Sequence, residues 1–499
     1  MRAVVFCAMV VCATCSGEWK PLATPIAPEH RIAAGVRVAI SLDDTAHLEE
    51  TIGVLVGQQL DLATAPTQVA ATDYHMGAVA AQLPLAAVSV VWGEGGTATA
   101  SADLAKSVIA VAIGRTGEPA CALGWQIWSG SAQVVAAARA GQAGSVDIVL
   151  TQPPTTTVTF GPVIDADQCL ALLPAGSKEF VDAQLRLAVQ AAWAPRLSGA
   201  TLKVLRTLVP TSLVAAGTTG TALAGDPASA VRASLGYGEV AGASLIKLNS
   251  KFAAAPLQVG IDADRHPCAV DQPAPSIIVA AQLPPTVSPQ AKAVLRRALV
   301  VDLAVLQHAG WALARSGGWC RQSASPLGEA VPSGWAGATV TSLAKWADDA
   351  PPTVRMWPHA APELELGDTA TGPVVRWQFA DATLEFIGVV GGVPAMVLAV
   401  RGKIRGTMRP TLAANNELLW VAESGSVDSA IVTSPLAGGT VAANAEPLGT
   451  LVDAAVRGIF TPAPVLPLAA LLPAGTVATS MTRAGDALWL WLDGGVTVP

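Results

Sequence analysis

Charge is what this sequence has least of. Asp, Glu, Lys and Arg make up 13% of its 499 residues, about half of the roughly 25% that globular domains carry. Cations are outnumbered, with 30 Lys and Arg against 37 Asp and Glu and a net charge of −7. That balance argues against a nucleic-acid partner, because phosphate recognition draws on clustered Lys and Arg. Beyond the N-terminus, long apolar runs are missing too. FIGVVGGVPAMVLAV (386–400) is broken by Gly391, Gly392 and Pro394, and TPAPVLPLAALLPAG (461–475) by its prolines, so neither offers the ~18–20 uninterrupted apolar residues of a spanning helix. Catalytic signatures are absent: there is no H-E-x-x-H, no G-x-S-x-G and no Walker loop. His47, His75, His308 and His359 are scattered, and His308, inside an apolar run, reads as a core residue rather than a base. The chain is therefore expected to be non-enzymatic, with no metal and no cofactor.

What is present is apolar surface. Hydrophobic residues are 52% and glycine adds 46 more residues, above the roughly 45–50% that the two together usually reach. The length makes two or three domains the prior, and two is the working number. The stretch AVLQHAGWALARSGGWC (304–320) has helical length, stops at Gly317 and Gly318, and carries one charge, Arg315. Val305, Leu306, Ala309, Trp311, Ala312 and Leu313 spread apolar surface around most of its circumference, so it must be buried on nearly all sides.

The N-terminus, MRAVVFCAMVVCATCSGEW, has one positive charge, an apolar stretch and a polar break, the layout of a secretory signal. Cys15 follows Cys12, Ala13 and Thr14 in an arrangement similar to a bacterial lipoprotein box. The expectation is a signal over 1–15, lipidation of Cys15 and a Pro-containing tether over 16–34. An exported protein of the bacterial cell envelope follows, periplasmic or held at a membrane surface by its anchor. Four cysteines then remain in the body: Cys121, Cys169, Cys268 and Cys320. Three pairings are open; Cys121 with Cys169 and Cys268 with Cys320 are preferred, because they close loops of similar length, one in each half.

Alternation of period two predicts strands at 35–41, 145–151, 156–160, 257–264, 383–389, 399–408 and 487–493. Helical spacing predicts four helices. One follows Asp44 and carries Leu48, Ile52, Leu55 and Val56; one covers about Ser177 to Leu208 with a kink at Pro195; the third is the 304–320 stretch; the fourth starts with Pro447 at its first position and carries Leu451, Val452 and Val456. Strand then helix occurs at 35–56 and again at 298–319, a two-fold duplication too long in period for a solenoid. The Pro-rich segment 268–290 separates the two halves.

In this order of elements the chain resembles the tubular lipid-binding superfamily, which includes bactericidal permeability-increasing, lipopolysaccharide-binding and plasma lipid-transfer proteins. The resemblance covers almost all of the mature chain: strand and helix opening each half, a Pro-rich centre, and a tail in which the helix around Leu451 to Phe460 precedes VLPLAALLPAG and ALWLWLD. It implies an α+β fold of two tandem modules, 35–275 and 276–499, each a twisted antiparallel sheet rolled around a long helix. It also implies a disulfide in the N-terminal half, to which Cys121 and Cys169 could correspond. The function implied is binding or transfer of a lipid held in an apolar tube, lined here by Leu48, Ile52, Leu55, Val56, Leu306, Trp311, Leu313, Leu451, Val452 and Val456. The alternative is a structural or adhesive surface lipoprotein with a solid core. Residues 40–60 hold Asp43, Asp44, Glu49 and Glu50 and no cation, unlike the basic tip of the endotoxin-binding members, so endotoxin neutralisation is not implied.

Three further patterns carry candidate binding chemistry. Arg401, Lys403, Arg405 and Arg409 project from one face of a strand, as an anionic headgroup or membrane-surface patch would or as a solvated face that discourages edge pairing. Asp262, Asp264, His266 and Cys268 alternate in DADRHPC and are metal-ligand types, but Pro267 breaks the spacing and Cys268 is wanted for a disulfide. Gly236, Gly238 and Gly242 approach a dinucleotide fingerprint, yet SLIKLNSKF after them is strand-like, so the motif reads as a turn.

Overall fold

The computed structural model describes residues 26–41, 45–69, 71–93, 97–140, 146–208, 215–221, 229–237, 247–248, 252–269, 271–276, 297–328, 331–346, 350–413, 417–461, 465–467 and 476–494. The signal, Cys15 and most of the tether lie outside these residues, as do the end of the GYGEVAG turn and most of the Pro-rich 268–290 segment. The fold is mixed α+β, with three antiparallel sheets and few helices among the described residues.

One sheet is shared by distant parts of the chain. Its order is Ala215–Thr221, Ser229–Tyr237, Phe252–Ala263, Arg31–Ser41, Arg297–Asp302, Ala487–Gly494, Thr476–Ala484. Strands from both sides of residue 275 thus pair directly: Val38 stands opposite Ala255 on one side and Leu299 on the other. Arg297–Asp302 is buried at every position, which fits its nearly continuous apolar run, since a strand covered on both faces has no polar side to show. Ala298 and Val300 join Ala39, Trp489 and Trp491 in a small cluster on one face. Leu299 and Val301 face the main core.

The second sheet is built around the twenty-residue strand Cys121–Ala140. Ser107–Arg115 and Thr97–Leu104 pair with it in succession along one edge, Thr155–Ile164 and Val146–Leu150 along the other, and Val79–Gly93 extends the sheet beyond Thr97–Leu104. Helices α1 (Thr45–Val56) and α2 (Ser177–Leu208) cover its inner face. In α2, Val181, Leu185, Val189, Trp193 and Leu197 are buried at spacing i+4, one stripe along the helix. Asp182, one position on, accepts the indole N–H of buried Trp125 at 2.5 Å. The helix runs on through Pro195, although proline removes one helical N–H donor.

The third sheet has the order Arg321–Gln322, Thr353–Pro358, Gly372–Val390, Val393–Ala413, Glu417–Ser434, Gly439–Thr440, with Glu363–Thr369 on Gly372–Val390 and Val465–Pro467 on Glu417–Ser434. The short α4 (Trp335–Thr339) and then α5 (Ala445–Ile459) follow in the chain after α3 (Leu303–Ser316). Helix α5 begins two residues ahead of the expected start, so Pro447 is its third residue. The shift costs nothing in hydrogen bonds, because the first four N–H groups of a helix have no intrahelical acceptor.

Helix α3 is buried at eleven positions, and two sheets enclose it. The shared sheet lies on one side and Glu363–Thr369 of the third sheet on the other. Asp302 caps its start, accepting from the Ala304 N–H at 3.0 Å, and also lies 3.6 Å from Arg37. At its end Gly317 has φ +80°, and the Gly318 N–H reaches Leu313 O at 2.7 Å; a left-handed residue there favours glycine. Gly35 sets the close approach of helix to strand, since a Cβ at that position would fall 2.5 Å from Val305 Cγ2. Among the described residues no helix is long and apolar enough to cross a membrane.

Candidate functional site

The apolar residues expected to face a ligand lie in three places. Leu48, Ile52 and Val56 are buried on α1, with Leu55 partly buried beside them. Leu306, Trp311 and Leu313 are buried on α3, and Leu451, Val452 and Val456 on α5. The structure brings all of them into one continuous core cluster but not into one locus. Side chains of the protein itself cover nine of the ten to 4% exposure or less. Trp311 donates its indole N–H to Gln272 O at 3.0 Å. Leu313 packs against Gly318, where a Cβ would fall 2.8 Å from Leu313 Cδ2. Val456 sits directly on Gly425, whose absent Cβ would be 2.5 Å away.

Pattern reasoning expected alanine-rich inward faces but did not locate the surface that packs against α2. On Thr97–Leu104 the buried positions are Ala98, Ala100, Ala102 and Leu104, and the ladder partners of the three alanines on Cys121–Ala140 are Ala136, Val134 and Ala132. Six adjacent positions on the helix-covered face thus carry small side chains. Thr97–Leu104 alternates Thr or Ser with Ala, and that alternation was the available signal.

Both preferred disulfides are formed. Cys121–Cys169 and Cys268–Cys320 have Cα separations of 5.9 and 6.6 Å, within the ~4.4–6.8 Å that a disulfide spans. Asp165 lies beside the first pair, but its carboxylate accepts the N–H groups of Cys169 and Leu170 at 2.8 and 2.6 Å. That cluster of ligand types is therefore a disulfide with a capping carboxylate.

In DADRHPC the charges are taken up by neighbours. Asp262 lies 2.7 Å from Arg232 and 3.1 Å from His30 Nδ1, and Asp264 lies 3.0 Å from the same Arg232. His266 accepts the Cys268 N–H at 3.1 Å. His308 is fully buried, 3.1 Å from Ile261 O, with the rings of His30 and Trp311 at 5.8 and 5.0 Å. Burial first, and then the neighbouring His30, push its pKa down to about 4, against the upward pull of the Ile261 carbonyl and Asp262. It sits in the core as expected.

Cross-strand carboxylates meet the basic row. Arg401 makes two hydrogen bonds to Asp381, at 2.9 and 2.6 Å, and that contact holds the Asp381 carboxyl below its ordinary range. Arg405 pairs with Asp428 and Arg409 with Glu423, while Lys403 stands opposite Asp428 in the ladder. The result is a surface of matched charges. Nearby, a cleft of about 590 Å³ crosses four strands of the third sheet and is lined by Glu363, Glu365, Arg376, Gln378, Arg405 and Thr407 among others.

No family model matches this chain, and no curated protein does. Among solved structures it is similar to lipopolysaccharide binding protein, at 10% identity and a TM-score of 0.40, over 92% of this chain and 98% of that one. It is also similar to P47 of Clostridium botulinum E1, at 7% identity and a TM-score of 0.27, over 93% and 98%. P47 from Clostridium botulinum A2 follows at 8% and 0.23, over 94% and 98%.

Proposed function

We propose that this chain is a non-enzymatic lipid-binding or lipid-transfer protein of the cell envelope, exported and anchored through a lipidated Cys15. In this reading each end of the molecule is a tubular module, and the shared sheet joins them. The supporting observation is the small-residue surface formed by Ala98, Ala100, Ala102, Ala132, Val134 and Ala136, on strands that pack against α2, with α1 beside it on Val79–Gly93. The backbone of these strands is already paired within the sheet, so helix side chains can lift from this surface without leaving a polar group unsatisfied. An acyl chain entering the gap is driven by desolvation, at roughly 0.8 kcal/mol per buried methylene. Leu48, Ile52 and Val56 would form the opposite wall.

The test uses the full-length protein, delipidated and then reloaded with a long-chain phosphatidylglycerol. Native mass spectrometry should detect the adduct, and thermal stability should rise, by about 2.7 kcal/mol when free lipid is a hundred times its Kd. If a panel of phospholipids gives neither adduct nor stabilisation, the reading fails. The alternative, a structural or adhesive lipoprotein filled by its own side chains, then takes its place; the close packing around Leu306, Leu313, Leu451, Val452 and Val456 favours it.

A further inference from the structure

The outer face of the second sheet, turned away from α1 and α2, carries a tryptophan that the core does not use. Trp128 is 54% exposed, which is unusual for so large a side chain. The ladder explains why it projects. Thr159 pairs with Ser129 and Phe160 with Ile127, so Trp128 is the extra residue of a bulge in Cys121–Ala140, and bulges re-aim side chains.

Gly161 fixes the ring. A Cβ on Gly161 would fall 2.2 Å from Trp128 Nε1 and 2.6 Å from each of the two carbons bonded to it, Cδ1 and Cε2. Those distances belong to a point above the ring, not at its edge, so the indole lies face-down on Gly161. Its N–H donates to Gln126 Oε1 at 3.3 Å. One ring face therefore rests on backbone and the other is turned outward. The ring walls a cleft of about 460 Å³, whose other lining residues are Lys106, Ser107, Val108, Gln126 and Ile127. Beyond it the same face carries hydroxyls, with Ser131 and Thr157 2.8 Å apart across the ladder.

A held, flat apolar surface bordered by amide and hydroxyl groups suits a ring whose faces are C–H and whose rim is hydroxyl. The base of a nucleotide is also flat, but the nucleotide's phosphates would meet an acidic protein, with Lys106 the one cation among the cleft-lining residues. A bilayer would ask for a contiguous apolar patch, whereas the exposed Val108 and Ile164 beside Gly124 give way to hydroxyls. We infer that this cleft binds a neutral carbohydrate chain, with one pyranose ring stacked on Trp128. The inference is independent of the lipid-binding reading.

The full chain, labelled with 5-fluorotryptophan, tests it by fluorine NMR, with the Trp128 resonance assigned from Trp128→Phe. The probes are neutral hexaoses of glucose, mannose and N-acetylglucosamine at millimolar concentration. One of them should shift the Trp128 resonance. Trp128→Ala should weaken its binding by about tenfold or more while the thermal midpoint stays in place. Gly161→Val, which lifts the indole off its support, should weaken binding while leaving the tryptophan present. The proposal is overturned if no hexaose moves the resonance, if Trp128→Ala binds as the wild type does, or if only phosphatidylglycerol vesicles perturb the signal.

Discussion

His308 measures how little charge this interior admits. Its folded pKa of about 4 lies below the ~6.5 of an unfolded histidine, so between these values the unfolded chain binds the proton more readily. The contribution of neutral His308 is complete above about pH 6.5 and is lost as pH falls toward 4, up to roughly 3 kcal/mol. Carboxylates titrate in the lower part of that window, so the informative comparison is with His308→Gln, which keeps an amide donor for Ile261 O. The stability advantage of wild type over variant, measured by urea unfolding, should shrink as pH is lowered from 6.5 to 4. An advantage that stays constant would place the protonation elsewhere. The basic row gives the complementary lesson. Arg401, Lys403, Arg405 and Arg409 were legible as one face, but Asp381, Glu423 and Asp428 come from neighbouring strands, and a single strand's pattern carries no register.

At the scale of elements, two helices seat on strands at glycines. A Cβ on Gly35 or Gly425 would sit 2.5 Å from Val305 or Val456, and neither valine has room to retreat, being buried at 1% and 0% exposure. Gly35→Ala and Gly425→Ala should each cost about 1–3 kcal/mol by overpacking. Gly199→Ala, on α2 with open space around its position, should be neutral or stabilising by up to about 1 kcal/mol. Chemical denaturation of the three variants checks the ranking. Element legibility followed the strength of periodicity. Ser177–Leu208 was read to its ends because the i+4 stripe is unbroken. Glu417–Ser434 went unread because ESGSVDS in its middle has no apolar alternation; pairing with Val393–Ala413 makes it a strand. The small-residue floor escaped because alanine is ambiguous between helix and strand until its partners are known.

For the whole molecule, the Cys268–Cys320 bond ties the segment after Phe252–Ala263 to the end of α3 across 52 residues. Loop entropy for that closure is about 4 kcal/mol. Cys268→Ser with Cys320→Ser should therefore lower stability by about 2–4 kcal/mol, read as a fall in the denaturation midpoint. A midpoint equal to that of the wild type would mean that the packing of α3 alone sets the geometry. The mixed α+β class was legible from the order of strand and helix patterns. What was not legible is the sheet that both halves build, because pairing of Arg31–Ser41 with Phe252–Ala263 and Arg297–Asp302 spans more than two hundred residues and leaves no local trace.

That sheet sets a schedule for the chain as it is made. Arg31–Ser41 is made long before both of its neighbours, Phe252–Ala263 and Arg297–Asp302, and the far edge of Arg297–Asp302 waits for Ala487–Gly494. Contacts so distant in sequence form slowly. Until Arg297–Asp302 is made, at least one edge of Arg31–Ser41 stands open, and until Ala487–Gly494 is made the far edge of Arg297–Asp302 does, to any other chain that can pair with it. A polypeptide interrupted before residue 297 would keep such an edge for its lifetime. The finished protein hides its apolar surplus well, but its nascent form is the most association-prone state this sequence passes through.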